Sequence, residues 1–448
     1  MKSIFKKIVT ATLMWEARMV IKKYAPTVIA VTGSVGKTST KDAIFAMITS
    51  KAFVRKSDKS FNSEIGVPLT ILGCENGWSN PIIWSQNIWK GLHLIIFRSS
   101  YPKCLVLEVG ADHPGDIQRL TKWLKPDIAI ITAVSKVPVH VEFFSSPAEV
   151  LEEKLSLVRA VKVTGKIVLP ATDPDILAVR NGTSNGQNKN GNAAMVPCLT
   201  FGIDCPGDVI ATGIEIAYSD QGAPTGMAFK LNYQGNSIPV VLSGIIGTQH
   251  IHAIVAGAAA ALAYGADLFS IVGVLAAYQA PRGRMNIVAG QSGSTLIDDT
   301  YNASPDAVRE ALAVLGSVKT TGRKIVVLGD MMELGKFSPE AHRKVGELAG
   351  KTLGPGDMLV TVGIRARDIA IAAISGGMPK EKVHTFDTSY EAADFLTSSP
   401  VAITSADIIL IKGSQSPRLE RVTKALLAEP NRAAELLVRQ DPEWLTRK

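Results

Sequence analysis

Residues 32–38 have the types and the spacing of a phosphate-binding loop. Two glycines let backbone N–H groups face phosphate oxygens, and a helix N-terminus favours an anion. The lysine can neutralise charge on β- and γ-phosphates, and the last threonine can ligate Mg²⁺ through its hydroxyl. The full motif has a glycine where this chain has Val31, so this loop is a shortened version. We predict that a nucleoside triphosphate binds Thr32, Gly33, Ser34, Val35, Gly36, Lys37, Thr38 and Ser39.

A carboxylate further along the chain could supply another oxygen ligand for a cation. Glu108 follows the apolar run 105–107, which is typical of a buried strand. An acidic side chain at the carboxyl end of a strand, near a phosphate loop, suits a hard cation such as Mg²⁺. The alternative is an exposed carboxylate at the end of a strand, without a ligand.

These side chains need a scaffold, and the apolar pattern predicts an α/β fold. Strands alternate with helices up to residue 170, which indicates a mostly parallel sheet. Short alternating segments in 198–242 predict a small, partly antiparallel sheet inserted in the same domain. After a hinge at 280–284 the alternation restarts and predicts a Rossmann-like domain. The predicted strands are 27–31, 105–107, 128–132, 166–169, 295–298, 324–328, 358–362 and 407–411.

Length and composition favour a folded chain of more than one domain. The chain has 448 residues, of which 46% are hydrophobic and 20% charged, so a large core is possible. We expect a basic amphipathic helix within residues 1–26. A central domain with a phosphate loop then covers 27–283, and a Rossmann-like C-terminal domain covers 284–448.

Charge and cysteine content narrow the partners and the compartment. The net charge of +8 favours anionic ligands, but no long Lys/Arg run indicates a nucleic-acid groove. The four cysteines form no CxxC pair, which argues against a zinc site and a disulfide framework. We find neither a cleavable signal nor an apolar run long enough to cross a bilayer. A cytoplasmic location is therefore expected, without a nucleic-acid partner.

Seven motifs together resemble the Mur ligase family, and most closely its MurF branch. They follow in the family's order over almost everything after residue 26. In order they are VTGSVGKTSTK at 31–41, FNSEIGVPLTIL at 61–72, LEVGADHPGDI at 107–117, PRGRM at 281–285, LIDDTYNASPDAV at 296–308, VVLGDMMELG at 326–335 and IKGSQSPRLE at 411–420. The resemblance implies an ATP-dependent peptide ligase that activates a carboxylate as an acyl phosphate. In the MurF branch, D-alanyl-D-alanine is joined to a UDP-N-acetylmuramoyl tripeptide.

The resemblance also implies two magnesium ions. Thr38 and Glu108 correspond to ligands of the first ion. His140, in the segment VPVHVEFF, and Lys154 correspond to ligands of the second. A lysine can serve as a ligand only after carbamylation makes it anionic. The resemblance thus gives Lys37, His140 and Lys154 catalytic roles; the alternatives are a satisfied polar histidine and an ordinary surface lysine.

The remaining site residues also come from the resemblance. It implies ATP contacts for Arg284, Asp299 and Asn302. It implies substrate contacts for Asn62, Ser63, Lys412, Ser414 and Arg418. The family usually has an arginine where this chain has Gln415, and we expect Arg418 to replace part of its charge. The family's adenine-side asparagines are absent as well, because the matching segment carries Gln249, His250 and Ala253.

The N-terminus departs most from the MurF branch. About 26 residues precede the first strand, so we expect the usual domain that binds the uridine diphosphate to be reduced or missing. The insertion Trp78–Phe97 has apolar residues near helical spacing. With the N-terminal helix it could pack as a cap on the central domain, which we expect, or it could rest on a membrane surface.

Two other functions stay open at this point. One is a different Mur-type ligase of the folylpolyglutamate or cyanophycin kind. The other is a nucleotide-binding protein without catalysis, which the changed adenine segment and Gln415 would favour. For a ligase of the MurF branch we expect a monomer whose partners are small molecules, namely a muramyl-peptide-type carboxylate and a D-Ala-D-Ala-type amine.

Overall fold

The computed structural model describes residues 2–57, 61–78, 80–134, 144, 146–181, 196–398 and 401–446. The predicted α/β class is confirmed, and the chain divides into two compact units. The first unit consists of Met1–Gly213, Phe229–Val240 and Gln249–Tyr278. The second consists of Ile214–Ala228, Val241–Thr248 and Gln279–Lys448. The main part of the second unit thus begins beside the hinge that the sequence predicts at 280–284.

Nine strands form one sheet, most of which belongs to the first unit, in the order β2-β3-β1-β4-β5-β6-β7-β8-β9. The strands are β1 (Thr27–Thr32), β2 (Val54–Lys56), β3 (Cys104–Glu108), β4 (Ile128–Ile131), β5 (Lys166–Pro170), β6 (Cys198–Ile203), β7 (Val209–Tyr218), β8 (Pro224–Tyr233) and β9 (Asn236–Ser243). Strand β1 pairs in parallel with β3 on one side and with β4 on the other. The register sets Val31 opposite Glu108. Because parallel strands end at the same edge, the phosphate loop begins next to Glu108.

One detail of the predicted fold is wrong. The segment 198–242 does not form a separate small sheet, because β6 pairs in parallel with β5 and extends the main sheet through β7, β8 and β9. The predicted turn between β8 and β9 is confirmed. Gln234 and Gly235 both have positive φ, 47° and 79°, as a two-residue hairpin turn of type I′ requires. Parts of β7, β8 and β9 belong to the second unit.

Helices cover this sheet, and several of them begin at a residue whose side chain accepts a backbone N–H of the first turn. They are α1 (Lys2–Tyr24), α2 (Lys37–Ile48), α3 (Gly66–Leu72), α4 (Pro81–Ile96), α5 (Asp116–Thr121), α6 (Pro147–Arg159), α7 (Pro174–Leu177), α8 (Thr248–Tyr264) and α9 (Leu268–Leu275). Helix α6 shows the local rule: the Ser146 hydroxyl accepts from the Glu149 N–H at 3.2 Å, and Pro147 occupies the first turn.

The N-terminal helix packs inside the first unit, as expected for a cap. Helix α1 contacts α3 and α4. The buried residues Val9, Leu13, Ala17 and Val20 of α1 join the core that also contains Trp84 and Leu94 of α4. Lys23 caps the end of α4, since its ammonium donates to the carbonyl oxygens of Leu94, Ile95 and Phe97 at 2.8, 3.0 and 2.5 Å.

The second unit contains a six-stranded sheet in the order β10-β11-β15-β12-β13-β14. Its elements are β10 (Asn286–Ala289), β11 (Thr295–Asp299), α10 (Pro305–Ser317), β12 (Lys324–Gly329), α11 (Ser338–Thr352), β13 (Met358–Val362), α12 (Arg367–Ser375), β14 (Val383–Phe386), α13 (Ser389–Thr397), β15 (Ile408–Lys412), α14 (Glu420–Leu426), α15 (Ala433–Leu436) and α16 (Pro442–Leu445). Only the edge strand β10 is antiparallel to its neighbour. Strands β11 and β15 are parallel, and their register sets Asp299 opposite Lys412.

Candidate nucleotide and metal site

The loop between β1 and α2 has a backbone that requires its glycines. Gly33 has φ of 149° and Gly36 of 83°, both in the region that L side chains rarely adopt. A Cβ at Gly33 would lie 2.0 Å from the Thr132 hydroxyl oxygen. Helix α2 begins at Lys37 without a side-chain cap and without an acidic residue in its first turn. Its N-terminal N–H groups can therefore face an anion.

The end of β4 holds this loop in place. The Thr132 hydroxyl donates to the Val35 carbonyl oxygen at 2.6 Å, and the Ser34 N–H donates to the Ala133 carbonyl oxygen at 2.6 Å. These contacts tie the loop to a strand that is about 100 residues away in sequence. Sequence reasoning missed Thr132. Its only signal was a polar residue at the carboxyl end of a buried strand.

Thr38 and Glu108 lie in direct contact, as the predicted cation site requires. The Thr38 hydroxyl donates to Glu108 Oε2 at 2.9 Å. Glu108 is buried, and its other oxygen has a long contact of 3.5 Å with the Asn62 amide nitrogen. The alternative of an exposed carboxylate at a strand end is thus wrong. Two oxygen-bearing side chains meet beside the N-terminus of α2, which is a donor set suited to Mg²⁺.

Two lysines converge on the backbone of the loop. The Lys37 ammonium donates to the Gly33 carbonyl oxygen at 2.9 Å, and the Lys154 ammonium donates to the same oxygen at 3.1 Å. Lys154 is buried on α6, so the alternative of a surface lysine is wrong. Burial, followed by the nearby charge of Lys37, lowers the pKa of Lys154 to about 7. A large share of this amine is therefore neutral near physiological pH.

Glu153, the residue beside Lys154, has a structural role. Glu153 is buried, and its carboxylate accepts N–H groups of Gly115, Ile117 and Gln118 at 2.9, 2.5 and 3.2 Å. It caps the first turn of α5 and stabilises it through the favourable charge at a helix N-terminus. This contact fixes the rotation of α6, and with it the direction in which the adjacent Lys154 points.

A second group of predicted residues comes together in the second unit. The Lys412 ammonium lies 2.6 Å from Asp299 Oδ2 and donates to the Asn302 carbonyl oxygen at 3.0 Å. Both charged side chains are buried. The Ser414 hydroxyl donates to the Ala303 carbonyl oxygen at 3.2 Å. The parallel pair β11 and β15 produces this cluster at its carboxyl edge, which is where α/β folds place ligands.

Arg284 and Arg418 have different surroundings in the same unit. The Arg284 guanidinium lies over the Tyr301 ring, 4.3 Å from its centroid. Arg418 is buried, pairs with Glu420 at 2.5 Å and lies over the Trp444 ring. The same carboxylate also pairs with Arg439 at 3.0 Å. That Arg418 replaces part of the charge of the family's arginine at Gln415 stays a prediction.

Several predicted residues have local partners or lie outside the described ranges. His140 belongs to 135–143, which the structure does not describe. Ser63 accepts the Gly66 N–H at 3.3 Å at the start of α3, and the Thr32 hydroxyl is buried without a hydrogen-bond partner among the described residues. On α8, His250 and Ala253 are buried. The part of the chain that the structure covers contains no group of three or more His, Cys, Asp or Glu side chains able to hold a metal ion.

Comparison with known proteins decides the family. Residues 85–261 match the Mur ligase middle domain, and residues 283–415 match the Mur ligase, glutamate ligase domain. The UDP-N-acetylmuramoyl-tripeptide–D-alanyl-D-alanine ligase of Mycobacterium tuberculosis (strain CDC 1551 / Oshkosh) is 30% identical over 421 residues, which cover 90% of this chain and 73% of that protein. The chain belongs to the Mur ligase family. It is an ATP-dependent, ADP-forming ligase.

Other members of the Mur ligase family are also similar to this chain in sequence and in structure. The ligase of the same name from Bacillus subtilis is 26% identical and is covered to 79%, with 92% of this chain aligned. MurF from Acinetobacter baumannii superposes with a TM-score of 0.70 at 27% identity, covering 92% of this chain and 79% of that structure. MurF from Thermotoga maritima, in complex with ADP, gives 0.71 at 26% identity, with coverages of 95% and 84%. The predicted fold class and ligase activity are thereby confirmed.

Proposed function

We propose that this ligase joins D-alanyl-D-alanine to a UDP-N-acetylmuramoyl tripeptide in peptidoglycan precursor synthesis. The observation that carries the proposal is the cluster of Lys37, Lys154, Thr38 and Glu108 around one loop. It combines cations for an anionic substrate with oxygen donors for a metal ion. The names of relatives with 26–30% identity over about 90% of the chain support the choice of substrate.

The proposed reaction has two steps. A carboxylate oxygen of the tripeptide attacks the γ-phosphorus of ATP, the bond to the β-phosphate oxygen breaks, and ADP leaves. The amine of D-alanyl-D-alanine then attacks the acyl carbon, loses a proton, and expels inorganic phosphate. Both first reactants are anionic, so cationic groups must lower their repulsion. We assign this role to Lys37 and to the N-terminus of α2, which begins at the same residue.

The residues of the first unit fit a magnesium ion. The Glu108 carboxylate is buried, yet its nearest side-chain partners are one hydroxyl at 2.9 Å and one long amide contact at 3.5 Å. Such a weakly satisfied carboxylate suits a hard cation. We propose that Thr38 and Glu108 hold the first ion, and that bound Mg²⁺ neutralises charge on the phosphates.

We propose that Lys154 is carbamylated and takes part in a second cation site with His140. The neutral amine attacks CO₂, a new N–C bond forms, and one proton is released. The product is an anionic carbamate, which can accept a cation where an ammonium cannot. The lowered pKa of Lys154, caused by burial and by Lys37, provides the neutral amine.

We further propose that Asp299, Asn302, Arg284, Lys412 and Ser414 contact ATP or substrate. The cluster around Lys412 supports this, because a buried ion pair at the carboxyl edge of a sheet is typical of ligand sites in α/β folds. Asn62 is a separate candidate for a substrate contact. A cytoplasmic location and a monomeric state complete the proposal. The four cysteines are all free, which is consistent with a reducing compartment.

The test is product analysis with the full chain. The enzyme is incubated with ATP, MgCl₂, UDP-N-acetylmuramoyl tripeptide and D-alanyl-D-alanine, and ADP, phosphate and the pentapeptide are measured. We expect all three in equal amounts, and none from a Lys37→Ala variant. A Lys122→Ala variant is the matched control, because Lys122 is exposed in the same unit.

Two results would contradict the proposal. ADP formation with folate and glutamate but not with the muramyl tripeptide would indicate a folylpolyglutamate-type ligase. Binding of ATP without ADP formation, in the presence of every substrate pair and of Mg²⁺, would indicate a nucleotide-binding protein without catalysis. Size-exclusion chromatography with light scattering tests the monomer.

A further inference from the structure

Helix α1 leaves one apolar stripe uncovered. Val9, Leu13 and Val20 are buried, while Ile8 and Trp15, seven residues apart on the other face, are exposed. Trp15 is 49% exposed. An α-helix returns to the same side after seven residues, so these two side chains lie on one face. The exposed Lys22 continues this face after a further seven residues.

Helix α4 repeats the arrangement. Its buried side contains Trp84, Asn87, Gly91 and Leu94. Its opposite side carries Ile82, Trp89 and Ile96, again spaced by seven, with exposures of 66%, 73% and 67%. Packing in the core accounts for the apolar side chain of Trp84. Packing does not account for the three large apolar side chains on the solvent-exposed face.

The two helices are neighbours, so their stripes belong to one region of the first unit. They pack on each other, and both pack on α3. The Glu16 side chain of α1 lies directly against Gly91 of α4, and Lys23 caps the end of α4. We call Ile8, Trp15, Ile82, Trp89 and Ile96 the apolar stripe of the helix pair.

The charge of the helix pair has one sign. The sequence of α1 contains six Lys/Arg residues and one acidic residue, Glu16, which is fully buried. The sequence of α4 contains Lys90 and no acidic residue, and Arg98 follows it. Lys7 and Lys22 are exposed. Tryptophans and aliphatic side chains bordered by lysines are the pattern of a helix that lies in the headgroup region of an anionic bilayer.

We propose that the helix pair α1 and α4 docks onto an anionic lipid surface, with the apolar stripe in the headgroup region and the lysines against lipid phosphates. The helices lie on the surface and do not cross it. No helix among the described residues is long and apolar enough to span a membrane. The 16 residues of α4 extend over about 24 Å, short of the roughly 30 Å of a hydrocarbon core.

The positive charge of the helix pair favours an anionic lipid surface over a second copy of the chain as its partner. Two copies that met through this region would bring basic helices together, and like charges across an interface disfavour association. An anionic surface neutralises the same charges. The inference goes beyond the proposed ligase function and does not depend on it.

The experiment is sedimentation of the full chain with vesicles. One set contains phosphatidylcholine alone, and the other equal parts of phosphatidylcholine and phosphatidylglycerol. We expect at least about tenfold more protein with the anionic vesicles, and a loss of this excess at high salt. Tryptophan emission should shift to shorter wavelength only with the anionic vesicles, and the shift should be smaller in a Trp89→Phe variant.

Two variants test the two parts of the surface. The triple variant Ile82→Ser, Trp89→Ser, Ile96→Ser removes apolar side chains, and Lys7→Glu with Lys22→Glu reverses charge. Both should sediment about tenfold less with anionic vesicles, while keeping the circular dichroism and melting temperature of the wild type. The matched controls are Phe269→Ser, an exposed apolar side chain elsewhere, and Lys122→Glu with Lys125→Glu.

Several outcomes would overturn the inference. They are equal sedimentation with both vesicle types, binding that survives both variants, or controls that lose binding as strongly. A dimer in solution that the triple variant dissociates would also overturn it, because a second copy would then cover the stripe.

Discussion

Lys37 and Lys154 donate hydrogen bonds to the same acceptor, the carbonyl oxygen of Gly33, at 2.9 and 3.1 Å. The two lysines come from different helices and are separated by more than 100 residues. Their proximity concentrates positive charge at the start of α2, and the repulsion contributes to the lowered pKa of Lys154. Lys154, which we propose to be carbamylated, therefore contacts the phosphate loop directly through the Gly33 carbonyl oxygen.

Lys154→Ala should reduce kcat by at least about 100-fold, because the proposed anionic ligand is lost. A short carboxylate such as formate or acetate should restore part of the activity. Lys154→Arg keeps a positive charge but cannot form the carbamate, so it should be as inactive as the alanine variant. Steady-state rates with the full substrate set provide the measurement. Unchanged turnover in the alanine variant would remove Lys154 from the mechanism.

Gly33→Ala should destabilise the loop by roughly 2 kcal/mol or more, since a Cβ there meets the Thr132 hydroxyl at 2.0 Å and φ is 149°. ATP affinity should fall at least about tenfold. Gly273→Ala is the matched control. No atom lies within 4 Å of its added Cβ, and α9 should gain about 0.5–1 kcal/mol. Melting temperatures and ATP titrations compare the two; equal behaviour would show that the loop tolerates a side chain at Gly33.

Asp299→Asn should cost about 3–5 kcal/mol, because it leaves the Lys412 charge buried without its partner. The double variant Asp299→Asn, Lys412→Met should recover part of this loss, since no charge then remains buried. Urea unfolding of both single variants and of the double variant gives the coupling energy. The exposed pair Lys344–Glu340 is the control, and its coupling should be much smaller because solvent screens it. A coupling equally small for Asp299 and Lys412 would contradict the buried ion pair.

Glu16→Gln should stabilise the protein by roughly 1–3 kcal/mol at about pH 8 and hardly at all near pH 4.5. Both carboxylate oxygens of Glu16 are buried without a hydrogen-bond partner among the described residues, and burial raises its pKa from 4.5 to about 7. Between these two values the folded state binds more protons than the unfolded state. Wild-type stability therefore falls as the pH rises through this window, and the full cost is present above pH 7.

Thermal unfolding across this pH range measures the effect of Glu16. Glu75→Gln, at an exposed position of the same unit, is the control and should change stability by less than about 0.5 kcal/mol at any pH. A constant difference between Glu16→Gln and the wild type at all pH values would show that Glu16 does not titrate in this window.

Local features could be predicted from the sequence because short-range chemistry determines them. The loop from Thr32 to Thr38 is contiguous, so its glycines, its lysine and the following helix could be recognised together. Eight strands, namely β1, β3, β4, β5, β11, β12, β13 and β15, were predicted within a few residues, since continuous apolar runs are typical of parallel sheets covered on both faces. The short edge strands β2, β10 and β14 were not predicted. The N-terminal helix was predicted from apolar residues at helical spacing.

Non-local pairing could not be predicted from composition or spacing. The segment 198–242 was predicted to form a small, partly antiparallel sheet inserted in the same domain, but its first strand pairs with the edge of β5 and continues the main sheet. Strand order depends on which edges are free after the rest of the sheet forms, and no periodicity records that. The partners of Arg418 were missed for a similar reason, because Trp444 lies 26 residues further along the chain.

The sequence by itself determined that this protein binds a phosphate-bearing nucleotide on a strand–loop–helix unit, because glycine conformations and a helix N-terminus are properties of one short segment. Only the tertiary structure decided that Glu108 touches Thr38, through the parallel register of β1 and β3. It also decided that Lys154 is buried beside Lys37 and has a pKa of about 7. Both outcomes depend on distance and desolvation, which arise only when distant parts of the chain pack together.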